Sequence, residues 1–152
     1  MVRLTRFDIP VLDLERAVEF YTDVFDLDIS IRDVRADYGS IIGVMVKDDG
    51  VLGTMNANLP HQPSQSEGCI IFFNVNDEDL QITLDRVVKA GGHILLPICK
   101  VEPTGKRGYV ALIVDTEGNR IGLHSQNSSN TTVFPGDDFT SYIHKKENGV
   151  AS

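Results

Sequence analysis

What most constrains this chain is an internal repeat. A strand-like run enters a helical run twice. The first is Arg6-Phe7-Asp8-Ile9-Pro10-Val11-Leu12-Asp13 with LERAVEFYTDVFDL after it. The second is Ile70-Ile71-Phe72-Phe73-Asn74-Val75-Asn76-Asp77 with EDLQITLDRVVKAGG after it. Val11-Leu12-Asp13 aligns with Val75-Asn76-Asp77. Each copy continues into a further strand and a hairpin. The stronger hairpin is YVALIVDTEGNRIGL, residues 109–123. Its first arm is β-branched and apolar, as a pleated, buried surface wants. Residues 115–119 supply turn chemistry, with Gly118 or Asn119 able to take positive φ. Ile121 and Leu123 then alternate with Arg120, Gly122 and His124, which share the opposite face. A weaker hairpin runs from Val44-Met45-Val46 through Asp48, Asp49 and Gly50 to Leu52 and Gly53. The pattern is a βαβββ unit used twice in tandem, in the α+β class. Two copies of about 60 residues indicate a duplicated pair, not a solenoid.

Local signals set the expected boundaries. Residues 4–11 read as a strand, and Pro10, which has no N–H to give, places it at a sheet edge. Asp13 is a good N-cap, and Leu14, Ala17, Val18, Tyr21, Val24 and Phe25 recur at helical spacing over 13–25. The other face carries Glu15, Arg16, Glu19 and Asp23 and reads as a solvated surface. Strands are expected at 29–34, 40–46 and 51–56. Residues 58–68, with two prolines and no periodicity, read as the linker between modules. In the second module, Leu80, Leu84, Val87 and Val88 mark a helix over about 77–90. Gly91 and Gly92 end it in a left-handed cap. A strand at 93–99 and a polar turn at 100–107 follow. The modules thus span about 1–60 and 67–126. In the remaining 127–152, GDDFTSYIHKK could form a short helix capped by Asp137 or Asp138. Phe139, Tyr142 and Ile143 would form its apolar stripe.

A chain of 152 residues with net charge −8 has one domain's worth of core. The acidic balance argues against nucleic acid and anionic membranes as partners. MVRLTRFDIP lacks a signal peptide's apolar core, and no apolar run approaches the ~20 residues of a membrane span, so a cytoplasmic protein is expected. Cys69 and Cys99 read as two reduced, buried thiols.

DLERAVEFYTDVFDL, AGGHILLP and DTEGNRIGL, in that order on a detected repeat, resemble the vicinal oxygen chelate superfamily. That family holds glyoxalase I, the bleomycin-resistance proteins and the extradiol dioxygenases. The resemblance implies two βαβββ modules curled into a half-open barrel around a shared cavity, with helices on the outer faces. It also implies where metal ligands would stand in the family's enzymes. A His or Gln precedes the helix-capping Asp by seven residues, and a Glu follows the turn Gly by four. Here those places hold Arg6, Ile70 and Gly122, with Gly53 in the matching strand of the first module. A guanidinium cannot ligate, and Ile and Gly have no ligand atoms. Asp8 and His124 share the relevant faces but are too few for a catalytic metal. No cofactor is therefore expected.

The cavity that the resemblance implies would be lined by Arg6, Asp8, Ile70, Phe72, Asn74, Arg120 and His124. Arg6, standing where relatives place a ligand, would grip an anionic group on a small molecule, or else pair with Asp8 or another acid and merely fill space. No Ser-His-Asp or Cys-His set stands out, so no catalytic residue is assigned. The reading is thus a metal-free small-molecule binder, assembled as a homodimer. The alternatives are a glyoxalase- or dioxygenase-like metalloenzyme using non-standard ligands, and an accessory module that binds a protein.

Overall fold

The computed structural model describes residues 1–48, 50–75, 78–130 and 139. Each module forms its own four-stranded mixed sheet. The first contains β1 (Phe7–Pro10), β2 (Asp28–Asp33), β3 (Ile41–Lys47) and β4 (Gly50–Asn56), in the order β1-β4-β3-β2. The second contains β5 (Ile71–Asn74), β6 (His93–Lys100), β7 (Tyr109–Val114) and β8 (Arg120–Ser125), in the order β5-β8-β7-β6. In both sheets the opening strand runs parallel to the closing strand of its own module. The repeat is thus a repeat of topology, and neither sheet closes on itself. Pro10 lies on an edge strand, where its missing N–H breaks no ladder.

Helix α1 (Leu14–Phe25) starts at Asp13, whose side chain accepts from the Arg16 amide. Ala17, Phe20, Tyr21 and Val24 are buried, as the 3.6-residue spacing predicts. A one-turn helix, α2 (Arg35–Tyr38), separates β2 from β3 and escapes the sequence reading, because four residues carry no period. Helix α3 (Leu80–Lys89) is shorter than the expected 77–90. Asp79 caps it by accepting from the Gln81 amide, while Asp77 lies outside the described residues. Gly91, at φ +98°, ends it as expected. The Gly92 amide closes back on the Val87 carbonyl at 2.9 Å.

Both helices pack on the same side of the molecule and against each other. One core runs through them, from Ile9, Phe20 and Met55 to Phe73, Leu84, Ile113 and Leu123. The edges β1 and β5 lie side by side without a shared ladder, joined by the rings of Phe7 and Phe73 at 5.9 Å. Phe25 stacks on Phe73 at 4.5 Å, so three aromatic rings seal the seam between modules. None of the described helices is long and apolar enough to cross a membrane. The tail helix expected within 136–146 falls outside the described residues, Phe139 excepted. Of the two thiols, Cys99 is buried as expected, but Cys69 is exposed, because β5 begins only at Ile71 and leaves it on the linker.

Candidate functional site

The polar turn of the β7–β8 hairpin is the joint between the modules. Asp115 is 2% exposed and collects four donors. One carboxylate oxygen accepts the amides of Glu117 and Asn119, each at 2.8 Å. The other accepts the Tyr21 hydroxyl at 2.6 Å and Asn119 Nδ2 at 3.0 Å. Tyr21 belongs to the first module's helix. Burial, and then the adjacent Asp115 carboxylate, push its phenol well above the usual value, so it stays a donor.

Glu117 repeats the device at the start of α1. Its Oε1 accepts the amides of Leu12 and Asp13 at 2.9 and 2.8 Å. Arg16 closes on it through Nε at 2.8 Å and a terminal nitrogen at 3.1 Å. A buried carboxylate thus satisfies helix-start N–H groups that have no intrahelical acceptor. Arg16 is therefore not a freely solvated helix residue, as its spacing suggests, but one half of a cross-module ion pair. Asn119 adds a third tie, donating from Nδ2 to the Pro10 carbonyl at 2.8 Å.

The candidate site residues do not share one cavity. A small cavity of about 220 Å³ lies between the modules. Asp8 and Pro10 of β1 wall it on one side, and His61, Glu67, Cys69 and Arg120 on the other. It joins only Asp8 and Arg120 of the expected set. Arg120 donates a terminal nitrogen to the Gly68 carbonyl at 3.0 Å. Its Nε is buried and has no hydrogen-bond partner among the described residues. Asp8 accepts from the Thr54 hydroxyl and lies 3.9 Å from Arg6 Nε. Arg6 precedes β1, and its side chain is 61% exposed. A second, larger cleft of about 1100 Å³ holds Phe72 and Asn74, together with Phe7, Phe25, Phe73 and Glu78. His124 and Arg6 line neither hollow. His124 Nε2 meets the Arg107 carbonyl at 2.8 Å. That oxygen can only accept, so Nε2 carries the proton and is no metal ligand.

The register shows which residues stand where family metal ligands would be. Asp8 pairs with Thr54 as Phe72 pairs with Gly122. The first-module counterpart of Gly122 is therefore Thr54, not Gly53. A register irregularity between Met45 and Val46 steps the hairpin by one residue and turns Gly53 toward the helices, against Phe7. At Gly122 a Cβ would sit 2.4 Å from the Phe72 ring, so that ring lies where a ligand side chain would begin. Arg6, Ile70 and Gly122 offer no donor lone pair and Thr54 only a hydroxyl already bonded to Asp8, and this donor set does not fit a metal.

A comparison with curated proteins finds no match. Among solved structures, the fosfomycin resistance protein FosX from Mesorhizobium loti is 20% identical with a TM-score of 0.60, covering 82% of this chain and 92% of that one. FosX from Listeria monocytogenes is 14% identical with a TM-score of 0.63, covering 82% and 94%. A glyoxalase I variant from Zea mays is 19% identical with a TM-score of 0.61, covering 84% of this chain and 46% of that one. At these identities the likeness is one of fold. The sequence itself matches the family over residues 3–123, the whole span of the repeat. The chain therefore belongs to the Glyoxalase/Bleomycin resistance protein/Dioxygenase superfamily.

Proposed function

We propose that the protein binds a small organic anion between its modules and does so without the catalytic metal of its enzymatic relatives. The observation that carries this reading is the combination at the family's ligand positions. Arg6, Ile70 and the ring-covered Gly122 give a metal nothing to hold. A cation stands at one of those places instead, and a second cation, Arg120, lines the small cavity. Arg120 lines the cavity with a guanidinium short of acceptors, its buried Nε being unpartnered among the described residues, and this supports an anion as the ligand. Arg6 is more exposed and lies outside the cavity wall, where it offsets the charge of Asp8, so Arg120 is the anchor. The cavity is smaller than those that hold drug-sized ligands, which restricts the ligand to a few functional groups.

Thermal shift against a panel of small carboxylates and phosphates tests this. A ligand at about 100 times its Kd adds about 2.7 kcal/mol, several degrees for a chain of this size. Arg120→Ala is expected to abolish the shift. Arg6→Ala weakens it, and Arg6→Lys weakens it less. A hit that binds Arg120→Ala as well as the parent removes the anion site.

Metal content is the second check. Protein purified without chelator or added metal is expected to carry well below one equivalent of Zn, Ni, Mn or Fe. A stoichiometric metal would instead favour a glyoxalase- or dioxygenase-like enzyme with non-standard ligands.

A further inference from the structure

The charges around the small cavity narrow what its ligand can be, given the anion reading on which this inference rests. Arg120 is the one arginine or lysine among the described residues that line it. Two carboxylates, Asp8 and Glu67, line it as well. A ligand with negative charge alone would meet one guanidinium and two like charges, and like charges brought together cost affinity. A ligand that also carries a positive group turns that repulsion into attraction.

Asp8 has acceptor capacity to spare. Its Oδ1 accepts from the Thr54 hydroxyl and is also the oxygen nearest Arg6 Nε, at 3.9 Å, beyond hydrogen-bond reach. Both partners of that ion pair are solvent-exposed, so Arg6 offsets the Asp8 charge only in part. Asp8 Oδ2 has no hydrogen-bond partner among the described residues, and neither has the Glu67 carboxylate. Asp8 belongs to β1 of the first module and Arg120 to β8 of the second, so opposite charges line the hollow from the two sides of the seam. Pro10 and Ile71 add apolar surface. At about 220 Å³ the cavity lies below the roughly 300 Å³ at which ordinary ligand pockets begin.

We propose that the cavity takes a free α-amino acid with a short apolar side chain, its carboxylate on Arg120 and its ammonium on Asp8. A free amino acid carries both charges on a body small enough for this volume. A peptide terminus offers one of the two and not the other, and brings a chain for which the hollow has no room.

Isothermal titration calorimetry at pH 7 on the full-length protein tests this with matched pairs, L-alanine against L-lactate and L-valine against L-2-hydroxyisovalerate. In each pair a hydroxyl replaces the ammonium and the carboxylate is kept. The amino acid is expected to bind at least about tenfold more tightly, the worth of one charge-assisted hydrogen bond. Asp8→Asn keeps an oxygen for the Thr54 hydroxyl and removes the charge. It is expected to weaken the amino acid and not the hydroxy acid, erasing most of the difference. Arg120→Ala loses both ligands. Hydroxy acids that bind the parent as tightly as the amino acids, and need Arg120 to do so, overturn the zwitterion and leave the anion reading standing. If neither class binds, or binding ignores Arg120→Ala, both readings fall. A folded Asp8→Asn that keeps the full preference for the amino acid also overturns the proposal. Should Asp8→Asn not fold, the matched pairs on the parent decide.

Discussion

Asp115→Ala is expected to cost on the order of 4 kcal/mol, a large part of the 5–15 kcal/mol that holds a typical domain together. The replacement strands four donors: the amides of Glu117 and Asn119, Asn119 Nδ2 and the Tyr21 hydroxyl. The Asp115 side chain lies almost wholly away from water, so no solvent replaces the lost oxygens. Asp115→Asn distinguishes this account from a simple loss of bulk. Both carboxylate oxygens accept two donors each, and an amide keeps only one oxygen. Its NH2 would face either two backbone amides or the Tyr21 hydroxyl and Asn119. The asparagine variant is therefore expected to lose nearly as much as alanine in urea unfolding. A near-native midpoint for Asp115→Asn would show that the hub is not what ties the modules.

Glu117→Ala is expected to cost about 2–3 kcal/mol. The carboxylate is buried, but Arg16 keeps about half its side-chain surface in water, and the free guanidinium can resolvate, which holds the figure below that of a fully buried pair. Glu117→Gln is milder, because its remaining oxygen still serves Leu12 and Asp13. The charge also brings a pH signature. Burial works to raise the Glu117 pKa, but the hydrogen bonds from Arg16, the amides of Asp13 and Leu12 and the Thr116 hydroxyl outweigh it and leave it below the ordinary 4.5. A carboxylate depressed on folding contributes its stability in full above its unfolded value. That contribution is lost as the pH falls from there through the depressed folded value. The parent is therefore expected to lose stability below about pH 4.5 more steeply than Glu117→Gln. Parallel acid-unfolding curves for the two proteins would contradict the assignment.

These two residues also show what sequence reading reaches. The repeat, both long helices and the β7–β8 hairpin follow from local periodicity and turn chemistry; α1 and the hairpin lie where residues 13–25 and 109–123 place them, and α3, expected at about 77–90, runs only from 80 to 89. Asp115 and Glu117 read only as turn formers, because their partners Tyr21 and Arg16 lie 94 and 101 residues away. Arg16 sits on the polar face of an amphipathic helix, where spacing alone cannot tell solvent from a second module. Gly53 was misplaced by one position, since an irregular register leaves no mark in a strand this short. The expected site set failed to gather for a related reason. Arg6, Asp8, Phe72, Asn74, Arg120 and His124 share strand faces by alternation, but a face does not say where the seam between modules divides it. Asp8 and Arg120 fell into one hollow, Phe72 and Asn74 into another. The signal that could have found the joint was the run Asp115, Glu117 and Asn119, three polar side chains at alternate positions in a turn flanked by apolar strands.

The ring of Phe72 over Gly122 has a consequence for descent. A carboxylate side chain introduced at position 122 alone is driven into an aromatic ring 2.4 Å from its Cβ. Shrinking Phe72 first opens the space, after which the carboxylate is admitted at little cost. The order of the two substitutions is thus constrained by packing. A carboxylate at position 122 is thus reached by a two-step path whose first step adds no ligand group, and selection for that group has nothing to act on until the second.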